Sequence, residues 1–419
     1  MNNEIIKECQ ERKKSGLLYK IARQSKRDKR DVGELTCIRD DEGKLCLNED
    51  DIAEVWKKHM EGVMNVENDW DGLIDASVVE GPIRRFEREE IKEALNDLRC
   101  GKAGGVSGIV AEHLQASPIA IDVLTQIGNN MLNGDSMPVE WRSSVLVPLY
   151  KGKGDVRECG SYRGVKLLEH GMKVIERVIE RRLRSTIEIN EMQCGFMPGK
   201  GTVDALFIVR MLQEKYAKKK KKLYMCFVDL EKAFDRVPRK VIEWSLRKKG
   251  VEERLVKVIM NMYLEAKTKV RVGSTLSSAF DVGVGVHQGS ILSPFLFAIV
   301  MDVVCGSAME GLLYEILYAD DLVLMADSMI ELQAKYSKWK EALERKGLKV
   351  NVAKTKCMIS GDSDKGETSR IDPCGVCGKR VGCNSILCKS CNLSVHRKCS
   401  GIKGISPNMA AANFCNSFR

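Results

Sequence analysis

The chain has 419 residues, 44% of them hydrophobic, and its 68 lysines and arginines against 58 aspartates and glutamates leave a net charge of +10. That length suits two or three domains, and that hydrophobic content excludes a wholly disordered protein. No run approaches the ~18 consecutive apolar residues of a membrane-spanning helix, so no membrane partner is expected, whereas the basic balance favours an anionic one.

Residues 1–82 are charge-rich and loosely patterned. They begin without the apolar core of a secretory signal and include the solvated-looking run Lys26-Arg27-Asp28-Lys29-Arg30-Asp31. They predict a linker with one or two helices, one starting near Asn48, whose side chain can cap it, with Ile52, Val55 and Trp56 facing inward.

Residues 83–360 read as one mixed body of helices and strands. Helical spacing joins Val174, Ile175, Val178, Ile179 and Leu183, then Leu255, Val258, Ile259 and Met262, then Leu332, Tyr336, Trp339 and Leu343, the last closed by Gly347. Short apolar runs at Leu223 to Val228, Ile316 to Tyr318 and Leu322 to Met325 have strand character. Helices and strands do not alternate regularly, which favours an α+β class with a palm-like sheet over a doubly wound one. The five lysines from Lys218 to Lys222 precede a strand and read as a solvated turn, or else as a phosphate contact or nuclear import signal. Residues 361–372 read as a polar linker and 373–419 as a small terminal module.

Nine of the sixteen cysteines are scattered between Cys9 and Cys357, and seven crowd between Cys374 and Cys415. That clustering suits reduced thiols in the body and a metal site at the end, hence a reducing compartment, cytoplasmic or nuclear.

Two local patterns carry chemistry. In Phe227-Val228-Asp229-Leu230-Glu231-Lys232-Ala233-Phe234-Asp235 an apolar strand delivers Asp229 at its end, and the chain then turns toward a helix begun near Pro238. In Leu317-Tyr318-Ala319-Asp320-Asp321-Leu322-Val323-Leu324 two adjacent acids sit between apolar segments, which predicts a hairpin with both acids at its tip. Adjacent acids in an apolar setting repel one another and cost desolvation, and a divalent cation removes that cost. Oxygen-only ligands favour magnesium or manganese, and two such ions suit an in-line phosphoryl displacement. Taken alone, the Asp-Asp pair reads first as an ordinary acidic β-turn.

In this order and company the segments resemble the reverse transcriptase of LINE-type non-LTR retrotransposons. The likeness runs from about Ile83 to Ile359. Its carriers are Ser161-Tyr162-Arg163-Gly164, Gly195-Phe196-Met197-Pro198-Gly199, Phe227 to Asp235, Gly285 to Pro294 with Val286-His287-Gln288-Gly289-Ser290 at its centre, Tyr318-Ala319-Asp320-Asp321, and Gly347-Leu348-Lys349-Val350-Asn351 with Lys354-Thr355-Lys356. The resemblance implies right-hand fingers and palm and an RNA-directed DNA polymerase using two Mg2+ or Mn2+ ions, an RNA template, a DNA primer and deoxynucleoside triphosphates. It makes Asp229 and Asp320 the main metal ligands, with Asp321 assisting.

Phe234 would lie under the incoming sugar and clash with a ribose 2′-hydroxyl; without the family match it would read as a core aromatic. Arg163 would reach the triphosphate through its bidentate donors, with Lys151 and Lys153 as further phosphate contacts. Gln288 and Gly289 would line the template and nucleotide path, and Lys354 or Lys356 would protonate the leaving pyrophosphate. The sequence departs from the family's usual pattern at Ser107, where an acid is usual, and at Cys194, where an aromatic is common. With neither an endonuclease ahead of the polymerase nor a thumb after Ile359 recognisable, the chain reads as a fragment of a longer element polyprotein.

Cys374-x-x-Cys377, Cys388-x-x-Cys391, His396-x-x-Cys399 and Cys415 have zinc-ligand spacing. A segment with so little apolar residue content would take its folding energy from the metal. The order resembles a PHD-type cross-brace finger. That resemblance gives one Zn2+ to Cys374, Cys377, His396 and Cys399, and a second, incomplete site to Cys388, Cys391 and Cys415, since Phe418 stands where an eighth ligand belongs. The finger's own partner would be a protein or chromatin ligand. The alternative to the enzyme is a catalytically inactive element fragment that binds nucleic acid or protein through this finger.

Overall fold

A computed structural model describes residues 37–81, 84–309 and 314–361, together with the backbone of three short strands further on. In chain order, a small hairpin of β1 (Ile38–Arg39) and β2 (Leu45–Cys46) leads into α1 (Glu49–Met64), α2 (Arg88–Asn96), α3 (Ala111–Ala116) and α4 (Ala120–Leu132). Then come β3 (Ser143–Tyr150), β4 (Tyr162–Leu167), α5 (His170–Thr186), α6 (Thr202–Lys218), β5 (Leu223–Val228), α7 (Ala233–Arg236), α8 (Arg239–Lys248) and α9 (Glu253–Asn261). The strands β6 (Lys267–Val272), β7 (Thr275–Leu276) and β8 (Phe280–Asp281) precede α10 (Ser293–Cys305). The hairpin of β9 (Glu315–Tyr318) and β10 (Asp321–Ala326), then α11 (Met329–Glu344) and β11 (Lys356–Ser360), complete the body. Beyond it lie β12 (Ser385–Cys388), β13 (Ser394–His396) and β14 (Ala411–Ala412). Among the described residues no helix is long and apolar enough to cross a membrane.

Two sheets organise the body. In the fingers sheet the apolar β3 is central, antiparallel to β4 and parallel to β6, and β6 also pairs with β7 and β8. Helix α1 closes one face of it. Asn48 starts the helix, its side chain accepting from the Asp50 amide at 3.4 Å, and three acids in the first turn suit the helix dipole. Ile52, Trp56, Met60 and Val63 then fall on one face and pack with Leu146, Val270, Val272 and Phe280. The helix that the sequence predicts from Asn48 is present, and its apolar stripe covers a sheet face that would otherwise be bare.

The palm sheet has the order β11-β5-β10-β9, antiparallel throughout. Its period-two alternation is apolar on both sides. Cys226, Val228, Leu317, Leu322 and Leu324 join the main core with Trp339 and Leu343 of α11 and the wholly buried α10. Leu223, Met225, Ile316 and Met325 face the other way, against Ala205, Val209, Leu212 and Tyr216 of α6. Each large apolar side chain taken fully out of water contributes about 1.5–3 kcal/mol. A sheet sealed on both faces is therefore the stiffest platform the chain can build. A buried ion pair, Lys335 to Glu315 at 3.5 Å, bridges α11 and β9, and removing one partner of such a pair costs about 3–5 kcal/mol. Helix α11 ends as its sequence predicts: Gly347 has a φ of 77°, and the Leu348 amide returns to the Leu343 carbonyl at 3.0 Å.

Candidate active site

The palm register decides where the acids go. Leu322 pairs with Val228, so one step further along the same antiparallel ladder Asp321 stands opposite Asp229. Both follow the alternation of Phe227 and Val323 and so lie on the α6 side of the sheet, past the end of that helix's cover. The hairpin is tighter than expected. Asp321 already pairs with Tyr318, so only Ala319 and Asp320 form the tip. Ala319 has a φ of 60°, the left-handed region at the first loop position that a two-residue hairpin demands and a side chain resists. The expectation that both acids crown the turn is thus corrected: Asp320 is in the turn, and Asp321 is the first residue of β10.

A cavity of about 530 Å³ lies between the sheets, and it collects most of the residues singled out by sequence. Asp229, Asp320 and Phe234 line it from the palm; Lys151 and Arg163 line it from the fingers; Gln288, Gly289 and Lys354 complete that set. Asp321, Lys153 and Lys356 are not among the lining residues. Lys356 pairs with Phe227 in the outermost palm strand and is exposed.

The electrostatics are those of an incomplete cation site. Burial raises the Asp320 carboxyl above its usual range, and the charges of Asp321 and Asp229 raise it further. Asp321 is raised by burial and then by Asp229. Asp229 Oδ2 is buried without a hydrogen-bond partner, and Lys354 Nζ stands 3.4 Å from it. Among the described residues no three His, Cys, Asp or Glu side chains converge into a metal-holding group. Asp321 is therefore not drawn into a three-carboxylate cage. This donor set nevertheless fits magnesium, which keeps several waters and is usually held by one or two carboxylates plus substrate phosphates. The orphaned Asp229 oxygen is the atom such an ion would satisfy.

The surrounding residues fix this geometry. The Asn351 amide donates to the Asp229 carbonyl at 2.8 Å, and the Glu231 amide to the Lys349 carbonyl at 2.8 Å, so the segment after α11 stitches the end of β5 in place. Phe234 is half-buried, stacks on Phe297 at 4.2 Å and meets Phe196 edge-on at 5.9 Å. Both readings of Phe234 therefore hold: it is anchored in the core and still lines the cavity. Gln288 Nε2 donates to Asp235 Oδ1 at 2.6 Å, while its carbonyl accepts from the Lys166 amide at 2.8 Å. Gly289 has a φ of 116°, and a Cβ there would drive into the Lys166 carbonyl, so glycine is required where the loop crosses β4.

Sequence reasoning missed three lining residues. Lys232 and Asp235 flank Phe234, and His59 reaches in from α1. Burial and then the charge of Lys232 hold the His59 imidazole below its usual pKa, which keeps it neutral in a basic wall. Burial lowers Lys151 as well, with Arg163 and Lys354 adding to the effect. Lys232 and Asp235 lie within the Phe227 to Asp235 motif, whereas no local motif announces His59, since long-range packing alone brings α1 to the cavity. Of the zinc ligands read from the sequence, Cys374, Cys377, Cys391, Cys399 and Cys415 lie outside the described residues, and Cys388 and His396 are described in backbone only.

Comparison with known proteins follows this geometry. Residues 151–384, more than half of the chain, match the family described as reverse transcriptase (RNA-dependent DNA polymerase). The chain belongs to the reverse transcriptase family. It is 29% identical over 283 residues to a probable RNA-directed DNA polymerase from transposon X-element of Drosophila melanogaster, covering 62% of this chain and 30% of that protein. It is 26% identical over 357 residues to the RNA-directed DNA polymerase from mobile element jockey of Drosophila funebris, covering 80% and 39%. A Pol polyprotein from the type-1 retrotransposable element R2 of Nasonia vitripennis is 27% identical over 237 residues, covering 55% and 23%. These mobile-element relatives accord with the LINE-type lineage. This reverse transcriptase chain spans about a quarter to a third of the length of the first curated relatives it matches.

The crowded acids make a stability prediction. Asp320 has a folded-state pKa above its unfolded one, so its ionised form is a penalty to the fold. That penalty is present above the folded pKa and vanishes as pH falls below the unfolded value of about 4. With chelator present, Asp320→Asn should melt higher than the unsubstituted chain near pH ~7, and the gap should close toward pH ~4. Calorimetric melting across that range checks it.

Proposed function

We propose that this chain is an RNA-directed DNA polymerase that extends a DNA 3′-hydroxyl on an RNA template with deoxynucleoside triphosphates. The observation that carries the reading is that Asp229 and Asp320 line one cavity with Arg163 and Lys151, while Asp229 Oδ2 is buried without a hydrogen bond and approached at 3.4 Å by Lys354 Nζ. Asp229 and Asp320 would hold the divalent cations, magnesium or manganese, with Asp321 sustaining the negative field from across β5. Bound there, two such ions lower the pKa of the attacking hydroxyl and take up charge on the leaving pyrophosphate. Arg163 and Lys151 bind and orient the triphosphate, and Lys151, with its lowered pKa, binds without a fixed carboxylate to release. Lys354, paired with Asp229 at 3.4 Å, would give a proton to the departing pyrophosphate. Lys356, exposed on the outer strand, is the weaker of the two sequence candidates. Gln288, fixed by Asp235, and Gly289, fixed by β4, form the wall along which template and nucleotide lie. Phe234, backed by Phe297, cannot retreat from a 2′-hydroxyl.

Primer extension on an RNA template with magnesium tests the reading. Asp320→Asn should reduce extension by roughly 10³-fold or more, the scale of losing a principal charge-stabilising group. Undiminished extension overturns the assignment, and template binding without extension in the unsubstituted chain leaves the inactive, binding fragment. In single-nucleotide assays Phe234→Ala should weaken discrimination against ribonucleotides by roughly tenfold or more, about 1.4 kcal/mol. Unchanged discrimination removes Phe234 as the gate.

The terminal module is proposed as a PHD-like zinc finger with one complete site from Cys374, Cys377, His396 and Cys399, and a protein or chromatin ligand. Its support is the ligand spacing. Elemental analysis of the full chain should return at least one zinc per molecule, reduced by substituting Cys374 and Cys377 together; a zinc-free chain ends this reading.

A further inference from the structure

The tip of the β9–β10 hairpin poses a problem that its own strands do not solve. In a two-residue hairpin the N–H of the first loop residue has no partner within the ladder. Here that residue is Ala319, only 4% exposed, so water does not serve it either. An unmet buried amide costs about 1–3 kcal/mol, on top of the strain of a left-handed alanine.

The partner comes from elsewhere in the chain. The segment before the Gly195-Phe196 motif runs beside β9: Gln193 bridges to Leu317 in parallel fashion, the Cys194 amide donates to the Leu317 carbonyl at 2.7 Å, and the Leu317 amide donates to the Met192 carbonyl at 3.0 Å. From this position Gln193, 1% exposed, turns its side chain to the hairpin tip. Its Oε1 accepts from the Gly195 amide at 2.8 Å and from the Ala319 amide at 3.1 Å. Both partners are donors, so only the oxygen end of the amide can face them, which settles its orientation. The other end, Nε2, is buried with no partner. A residue chosen for core stability alone would not leave half its amide unmet, since a buried unpaired donor weakens the fold.

Gly195 makes the contact possible. A Cβ there would press into the Ala319 nitrogen and the Tyr318 carbonyl carbon, so the two segments meet backbone to backbone. Gln193 and Gly195 thus act as one device. The glycine lets the loop come close, and the glutamine oxygen joins loop and tip through a single acceptor.

We propose that Gln193 is a positioning residue for the catalytic turn: its buried side-chain carbonyl holds the Ala319 amide, and through that peptide sets the height and direction of Asp320 against Asp229. Gln193 touches neither substrate nor reacting atoms. It acts through a backbone that would otherwise relax from its strained form and carry Asp320 with it. A displacement of about 1 Å at a reacting centre costs on the order of 10²-fold in rate, so the effect falls on turnover rather than on substrate binding.

The kinetic consequence rests on the polymerase reading; the structural one does not, and the experiment separates them. Gln193→Met keeps the length and apolar body but removes the strong acceptor, whereas Gln193→Glu keeps an acceptor that two amides can answer. Hydrogen–deuterium exchange on peptides spanning Leu317 to Leu322 of the full chain should show Ala319 exchanging at least about tenfold faster in Gln193→Met and near the unsubstituted rate in Gln193→Glu. In primer extension, kcat should fall roughly 10- to 100-fold in Gln193→Met. Nucleotide KM and template–primer Kd should stay unchanged, and Gln193→Glu should recover most of the rate. Unchanged exchange in Gln193→Met overturns the proposal. So does faster exchange with unaltered kcat, and so does a parallel loss of melting temperature and template–primer binding, which marks a merely structural residue. If the unsubstituted chain fails to extend a primer, the polymerase reading fails, and exchange at Ala319 still decides whether Gln193 holds the turn.

Discussion

Mutual repulsion between carboxylates at one end of a four-stranded sheet is the constraint around which this molecule is arranged. Burial first, and the neighbouring carboxylates after it, raise Asp320 and Asp321 above the usual carboxylate range, so the crowding opposes their charge. They stay together because β5 and β10 are locked in register by apolar side chains on both faces, with α10 and α11 behind and α6 in front. A one-residue slip would carry Asp229 and Asp321 to the opposite side of the sheet and place Val228 in the cleft. The dense core thus fixes the register of β5 against β10, and with it the position of the charges.

The second sheet answers the first. Fingers strands β3 and β4 present Lys151 and Arg163 across the cavity, and α1 braces the opposite face of that sheet while contributing His59. Acidic and basic walls are thereby carried by separate rigid units. An anionic ligand carrying a cation could bridge the two walls, whereas direct pairing is largely avoided: among the described residues, Asp229, Asp320 and Asp321 make one ion pair, Asp229 with Lys354. Charge held apart in this way is pre-set for a ligand rather than spent on the fold.

What could be read in advance was local. Strand β5 runs over the residues its apolar run delimits, and helices α5, α9 and α11 follow from the spacing of Val174, Leu255 and Leu332 with their neighbours. The Asn48 cap and the Gly347 stop are likewise written in single residues. The misplacement of Asp321 has a plain cause: an Asp-Asp pair between two apolar runs does not say which residue opens the second strand, and only the pairing of Asp321 with Tyr318 does. His59 was invisible because nothing near it in sequence marks a cavity wall, whereas Lys232 and Asp235 lie inside the motif that carries Asp229 and Phe234 and have no spacing that sets them apart there. Gln193 left a partial sign. Gly195 beside it stands in a recognised motif, but the hairpin it approaches is more than a hundred residues away.

The place of β3 in the fingers sheet has a bearing on how this chain can be divided. The recognisable family segment opens at residue 151, one residue after β3 ends. Yet β3 is the strand that ties β4 to β6, and α1, earlier still, covers the same sheet. Cutting at the boundary that sequence similarity marks would take out the middle strand of a sheet and expose its two neighbours as raw edges, open to pairing with other molecules. A piece of this polypeptide that keeps this sheet and its covering helix whole therefore begins before α1, well upstream of residue 151.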